Sequence, residues 1–249
     1  LVSKCDRYLG KVLDIMDKYD LWEDTMLIVN TDHGFLLGEH GWWGKTAMPI
    51  YNEIAHTPLF IYDPRRKELA GVHRNAIVQT IDLAPTLLDY FGVEIPEDME
   101  GKPLKQVMDS DEPVRSYAVF GYHGSQVNVT DGRYVYMHSA ERPELPVYEY
   151  TLMPTHMRQM FQPDELQNIV MSEPFSFTKG CRVMRIEAKN EMGDTTKFGS
   201  ALYDLKIDPH QTAPVSDKET EERMKGYIAE YMEKNDAPEE LYTRLGIVR

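Results

Sequence analysis

The sequence predicts an α/β fold followed by a small antiparallel sheet with a C-terminal helix. Residues 26–29 form a short apolar run that ends abruptly in acid, imidazole and glycine. Such runs are typical of strands buried on both faces of a parallel sheet, which carries its chemistry at the carboxyl ends of its strands. Beyond residue 112, alternating strand patterns and a late amphipathic helix indicate a separate antiparallel unit.

The first unit is predicted to contain helices on either side of this strand. The opening helix runs to about residue 19 and is expected to cover one face of the sheet, because apolar residues recur at helical spacing. They are Cys5, Leu9, Val12, Leu13 and Met16. Residues 59–62 and 76–78 are predicted strands, and a helix runs from Leu83 to about Gly92 with Asp82 as its N-cap.

The second unit, residues 113–249, is predicted to be an α+β subdomain. A helix over residues 219–234 packs on its sheet. The first two strands are expected to pair around the turn at Asp131-Gly132. The strands are predicted at residues 117–120, 133–137, 181–187 and 201–205, and a further turn is predicted at residues 190–193. Residues 143–176 are rich in Met, Pro, Tyr and Glu and are expected to be an insertion.

Composition restricts the class of protein. A hydrophobic share of 42% and a charged share of 27% over 249 residues are typical of a soluble protein, cytoplasmic or exported, with one large or two unequal domains. No run approaches the ~18 apolar residues of a membrane helix, and a net charge of −14 argues against nucleic-acid binding. Cys5 and Cys181 form no disulfide framework and are expected to be small buried hydrophobes.

The chemistry is expected directly after the first strand. Asp32 and His33 offer a carboxylate oxygen and an imidazole nitrogen to a divalent cation, and Gly34 lets the backbone turn tightly beside it. A glycine-rich stretch then leads to Lys45. The alternative is that Asp-His-Gly is an ordinary turn and that Lys45 is a solvated surface lysine.

The pattern from Thr31-Asp32-His33-Gly34 through Leu37-Gly38-Glu39-His40-Gly41 to Gly44-Lys45 resembles the second half of a sulfatase of the alkaline-phosphatase superfamily. Further matches to that family are the segments His56-Thr57-Pro58-Leu59, Asp82-Leu83-Ala84-Pro85-Thr86, Leu202-Tyr203-Asp204-Leu205 and Asp208-Pro209. The resemblance implies a partial alkaline-phosphatase-like α/β sandwich over residues 1–112.

The resemblance also implies roles for individual residues. Asp32 and His33 would be metal ligands, for Ca²⁺ with Mg²⁺ or Mn²⁺ as alternatives, and Lys45 would contact both the sulfate group and the bridging oxygen of a sulfate ester substrate. His40 would line the pocket. His56 is interpreted as a structural histidine bonded to a carboxylate such as Glu53 or Glu39.

Three functions remain open. The first is a sulfatase, in which His123 contacts the organic part of the substrate or has no role. The second is a phosphonate monoester hydrolase or phosphodiesterase of the same superfamily; in the two-metal phosphodiesterases a downstream histidine such as His123 would be a zinc ligand. The third is a non-catalytic binding or oligomerisation module. The motifs do not separate the first two.

Sulfatases attack with a formylglycine made from a Cys/Ser-x-Pro-x-Arg motif. Neither Cys5 nor Cys181 is followed by the required proline and arginine, and no serine has that pattern. We therefore expect the chain to be the C-terminal part of a longer sulfatase, inactive alone. Open strand edges and apolar faces would drive it to associate with the missing N-terminal part or with itself as a homo-oligomer.

Overall fold

The computed structural model describes residues 1–153, 155–156, 159–188 and 194–249. The helices in this part of the chain are α1 (Val2–Lys18), α2 (Asn52–Ala55), α3 (Leu83–Tyr90), α4 (Lys105–Ser110), α5 (Lys218–Lys234) and α6 (Glu239–Leu245). The strands are β1 (Leu27–Asn30), β2 (Leu36–Leu37), β3 (Trp43–Gly44), β4 (Leu59–Tyr62), β5 (Ala118–Gly121), β6 (Val127–Thr130), β7 (Tyr134–His138), β8 (Tyr148–Thr151), β9 (Val170–Ser172), β10 (Val183–Glu187) and β11 (Ala201–Asp204). The predicted mixed α/β architecture is confirmed.

The strand that precedes the predicted site has a different environment from the one expected. β1 pairs with β4 in antiparallel register, from Leu27 opposite Tyr62 to Asn30 opposite Leu59. The apolar side chains of β1 are only half-buried. The prediction of a parallel strand buried on both faces is therefore wrong, because a short apolar run does not reveal the direction of its neighbour.

The opening helix forms as predicted but buries little of its apolar face. Met16 is the buried residue of α1, whereas Val12 and Ile15 are exposed. Cys5 on this helix and Cys181 are also exposed, and Cys181 precedes β10 instead of lying within a strand. The prediction that both cysteines are buried is wrong, since helical spacing shows which residues share a face but not what covers that face.

The helix that begins at Leu83 is confirmed, but its N-terminal aspartate has another role. The Asp82 side chain is 0% exposed and forms an ion pair with Arg115. Its carboxylate also accepts N–H bonds from Gln79 and Lys102, each at 2.8 Å, and none from the first turn of α3. Asp82 therefore takes part in capping the 3₁₀ turn at residues 80–82 and joins that turn to Lys102 and Arg115, instead of capping α3.

The C-terminal unit is built on a four-stranded antiparallel sheet in the order β11-β7-β6-β5. β6 lies between the two strands that were predicted to pair directly, and the Asp131-Gly132 turn connects β6 to β7. That predicted pairing is therefore wrong. The predicted helix is confirmed as α5, which packs Met224 and Ile228 against Val129 of the sheet.

A separate three-stranded antiparallel sheet has the order β8-β10-β9. β10 corresponds to the strand predicted at residues 181–187, but it pairs with two strands from within residues 143–176 instead of joining the larger sheet. Residues 76–78 form no strand. The turn predicted at residues 190–193 lies outside the described residues, with 189–193 among the positions left out. Among the helices of the described ranges, none combines the length and apolarity that crossing a membrane requires.

Candidate active site

The loop after β1 is held against α2 by a close backbone approach. The N–H of Gly34 donates to the carbonyl oxygen of Ile54 at 2.8 Å. A Cβ atom placed on Gly34 would lie 1.7 Å from the carbonyl oxygen of Glu53, so no larger residue fits this position. The glycine of the Asp-His-Gly motif therefore fixes where the two preceding side chains stand.

Three of the residues predicted to form the site meet around one imidazole ring. Nδ1 of His33 donates to the carbonyl oxygen of Gly34 at 3.0 Å, which leaves Nε2 as the acceptor. The ammonium group of Lys45 donates to this Nε2 atom. Oδ2 of Asp32 lies 3.4 Å from the same nitrogen. The structure thus brings Asp32, His33 and Lys45 together as the motif predicts.

Asp32 is positioned as an exposed hydrogen-bond acceptor. Its side chain is 82% exposed, and Oδ1 accepts the backbone N–H of His33 at 3.0 Å. Desolvation acts to raise the pKa of Asp32, but the hydrogen bonds from the backbone N–H of His33 and from the Thr31 hydroxyl act to hold the pKa below its ordinary value. The carboxylate is therefore ionised at neutral pH and free to face a cation.

The β2–β3 hairpin presents Lys45. Leu36 is completely buried and anchors the hairpin in the core, while Gly38 and Gly44 have φ angles of 126° and 127° that other residues rarely adopt. The carbonyl oxygen of Lys45 accepts a hydrogen bond from the Tyr122 hydroxyl. Sequence reasoning missed Tyr122, because its contact spans 77 residues and no local pattern reports it.

His40 lies in the turn between β2 and β3, and its predicted place in the pocket wall stays a prediction. Its ring stacks on Tyr51 with centroids 3.6 Å apart, and its Nε2 lies 3.4 Å from a carboxylate oxygen of Glu53. Glu39 accepts instead from the N–H of Leu37. His56 is exposed, and the carboxylates of Glu53 and Glu39 contact His40 and Leu37 instead. The prediction that His56 bonds to one of them is therefore wrong.

His123 is exposed and follows Tyr122 in the loop after β5. Its Nε2 donates to the carbonyl oxygen of Tyr148 at 3.0 Å, so the ring is tied to β8. The structure places it one residue from the tyrosine that contacts Lys45, while its predicted contact with substrate stays a prediction.

The described residues offer only part of a metal site. They contain no cluster of three or more His, Cys, Asp or Glu side chains able to hold an ion. Asp32 and His33 supply two donors, whereas calcium takes six to eight oxygen ligands. The Nε2 lone pair of His33 is the one that Lys45 now occupies, so a cation bound there would require Lys45 to move away from the ring.

Comparison with known proteins identifies a family whose model matches more than half of the chain. The family model described as "N-sulphoglucosamine sulphohydrolase, C-terminal" matches residues 38–176. This match includes Lys45 and also runs through residues 143–176.

Two curated relatives illustrate the similarity. The chain is 39% identical over 110 residues to an N-acetylglucosamine-6-O-sulfatase from Bacteroides thetaiotaomicron. The aligned residues are 44% of this chain and 19% of that protein. It is 27% identical over 184 residues to human arylsulfatase K, which is 70% of this chain and 33% of that protein. The chain thus spans between about a fifth and a third of the length of these relatives.

A solved structure has the same fold. The structure of BT4656 in complex with its substrate D-glucosamine-2-N,6-O-disulfate matches with a TM-score of 0.60 at 20% identity, over 94% of this chain and 39% of that one. This likeness confirms the alkaline-phosphatase-like α/β fold that the sequence predicts.

Proposed function

The chain belongs to the sulfatase family whose C-terminal region is described for N-sulphoglucosamine sulphohydrolase, and from this premise we propose that the protein carrying it hydrolyses a sulfate monoester. The observation that carries the proposal is the contact of the Lys45 ammonium with Nε2 of His33. Oδ2 of Asp32 lies 3.4 Å from the same Nε2 atom. The ammonium attracts an anionic ester and stabilises charge on its leaving oxygen, while the carboxylate and the imidazole can bind a divalent cation that offsets the negative charge of Asp32 and of the ester.

Lys45 is the proposed catalytic residue. When the ester bond breaks, negative charge develops on the oxygen of the departing alcohol, and a nearby ammonium stabilises that charge more than it stabilises the bound ester. Lys45 is only partly exposed, which strengthens its electrostatic effect relative to a fully solvated lysine. Its carbonyl is held by Tyr122, so the side chain starts from a fixed backbone position.

Asp32 and His33 are the proposed protein ligands of a divalent cation, Ca²⁺ first, with Mg²⁺ or Mn²⁺ as alternatives. When bound, the ion would supply Lewis-acid stabilisation of the sulfate oxygens. The exposed, ionised carboxylate of Asp32 suits a hard cation. Two ligands form an incomplete coordination sphere, so the proposal requires further oxygen ligands besides these residues.

The nucleophile is a further part of the proposal. Sulfatases use a formylglycine, and neither Cys5 nor Cys181 has the sequence context for that modification. We therefore propose that residues 1–249 supply the catalytic lysine Lys45 and the two metal ligands Asp32 and His33, but not the nucleophile.

A direct comparison of esters tests the proposed reaction. Sulfate and phosphonate monoesters of one chromogenic phenol are assayed side by side on the protein that carries these residues, with calcium present. We expect faster turnover of the sulfate ester, abolished or strongly reduced in Lys45→Ala and unchanged in Lys105→Ala, an exposed lysine on α4. Faster turnover of the phosphonate would identify the second candidate, a phosphonate monoester hydrolase. Binding of either ester without turnover would favour a non-catalytic module.

A further inference from the structure

The hydroxyl of Tyr122 is the point at which the C-terminal unit touches the backbone of the proposed catalytic lysine. Tyr122 follows β5 directly, and its hydroxyl donates to the carbonyl oxygen of Lys45, 77 residues earlier in the chain. The carbonyl of Tyr122 in turn accepts the N–H of Ser125 at 3.1 Å, which closes a turn around it. The tyrosine is therefore fixed on its own side of the contact.

The ring of Tyr122 is anchored in the core that supports the hairpin. It packs, half-buried, against a cluster of residues from β2, from the segment after β3 and from α2: Leu36, Met48, Ile50 and Ile54. Burial raises the pKa of the Tyr122 hydroxyl, so the group stays protonated and remains a hydrogen-bond donor at neutral pH. The donor is thus held in place and in its donating form.

The segment that receives this hydrogen bond is irregular. Residues 45–48 follow β3 as a series of bends instead of continuing the strand. Gly44, which immediately precedes Lys45, has a φ of 127°, a conformation that glycine adopts more readily than any other residue. A hydrogen bond to the carbonyl at this point restricts where the lysine side chain begins.

We propose that Tyr122 is a positioning residue that fixes the backbone of Lys45 and so directs its ammonium to the site beside His33. This inference rests on the proposed function of Lys45. Tyr122 touches the lysine through its main chain and acts on the reaction only through it. Displacing a catalytic group by about 1 Å can lower a rate by about 100-fold, so loss of the hydroxyl has a measurable kinetic effect.

A double-mutant cycle tests the proposal on the sulfate ester that the protein hydrolyses. The variants are Tyr122→Phe, Lys45→Ala and both together. We expect Tyr122→Phe alone to lower kcat by about 10-fold with KM changed less than about twofold, and to have no further effect when Lys45 is already alanine. Non-additivity of this kind separates positioning of Lys45 from a general loss of stability.

Tyr62→Phe is the matched control. The Tyr62 hydroxyl donates to the carbonyl oxygen of Trp22 at 2.8 Å, so this variant also loses one bond from a tyrosine to a backbone carbonyl, but between β4 and the turn that precedes β1. We expect its kcat to equal that of wild type in both backgrounds. An unchanged kcat in Tyr122→Phe, or an equal reduction with and without Lys45, would overturn the inference. If Lys45→Ala itself leaves kcat unchanged, the proposed function fails instead.

A second measurement needs no turnover. Acylation of lysines by an amine-directed reagent is followed by mass spectrometry in wild type and in Tyr122→Phe, with Lys105 as the internal reference. We expect the acylation rate of Lys45 to rise by about threefold or more in the variant, the order expected for the loss of one hydrogen bond, because its ammonium is no longer held at His33, and the rate of Lys105 to stay constant. Equal rates at Lys45 in both proteins would overturn the positioning role.

Discussion

Gly34 and Glu53 approach so closely that a Cβ on the glycine would lie 1.7 Å from the glutamate carbonyl oxygen. We expect Gly34→Ala to lower the free energy of unfolding by about 3 kcal/mol, because the backbone of the site loop must move away from α2. Gly10→Ala is the control, since nothing lies within 4 Å of a Cβ there. Within α1 the alanine should add about 0.5–1 kcal/mol. Urea unfolding compares the two, and equal effects would contradict the packing described.

The ion pair of Asp82 with Arg115 tests whether the Asp82 carboxylate is buried at the start of α3. Arg115→Leu leaves the buried carboxylate without its counter-ion and should cost about 3–5 kcal/mol of stability. Arg142→Leu removes the exposed pair with Glu144, at 3.1 Å, and should cost less than about 1 kcal/mol. Chemical denaturation measures both. A small loss for Arg115→Leu would show that Asp82 is not held in the buried position described.

His138 should make stability depend on pH. Its side chain is buried, and Nε2 donates to the carbonyl oxygen of Leu245 at 2.7 Å. Burial is the main cause that lowers the pKa of His138 in the folded chain, and Lys225 lowers it further, while the Leu245 bond, Glu141 and Glu222 oppose the effect. The unfolded chain, with a histidine pKa near 6.5, therefore binds the proton first as the pH falls.

The contribution of neutral His138 to the free energy of unfolding is therefore fully present above about pH 6.5. As the pH falls below this value, the contribution decreases by up to about 1.4 kcal/mol per pH unit until the pKa of the folded state is reached. The check is the difference in unfolding free energy between wild type and His138→Gln from pH 7.5 to 5. We expect the wild type to lose more stability than the variant as the pH falls. A constant difference across this range would contradict the buried, neutral state of His138.

Metal binding should respond in opposite directions to changes at Asp32 and Lys45. Lys45 occupies Nε2 of His33 and repels a cation, so Lys45→Ala should tighten Ca²⁺ or Mn²⁺ binding by about threefold to tenfold. Asp32→Ala should weaken it by removing the carboxylate ligand. Calorimetric titration of wild type, both variants and Lys105→Ala decides this. Equal affinities in all four proteins would contradict the proposed ligands.

The sequence predicted those features that local patterns encode. Asp32, His33 and Lys45 stand in a short, recognisable motif, and the structure brings them together. The apolar positions of α5, among them Met224 and Ile228, recur at helical spacing, and both side chains are completely buried. Period and motif are properties of neighbouring residues, so they can be read without knowing the rest of the fold.

The missed features depend on partners distant in sequence. Asp82 was expected to cap a helix, yet its counter-ion Arg115 is 33 residues away. β6, which includes Asn128, lies between β5 and β7, the two strands whose direct pairing the sequence predicts. Tyr122 showed no local signal because its role lies in a contact with Lys45. Whether α1 is covered is likewise a property of its surroundings and not of its own pattern.

The kinetics of Lys45→Ala on a sulfate monoester test the central claim most directly. If the ammonium stabilises charge on the leaving oxygen, its loss acts on the transition state and not on the bound ester. We predict that kcat falls by about 100-fold or more while KM changes little, with Lys105→Ala indistinguishable from wild type. A rise in KM at unchanged kcat would show that Lys45 only binds the substrate and would contradict its catalytic role.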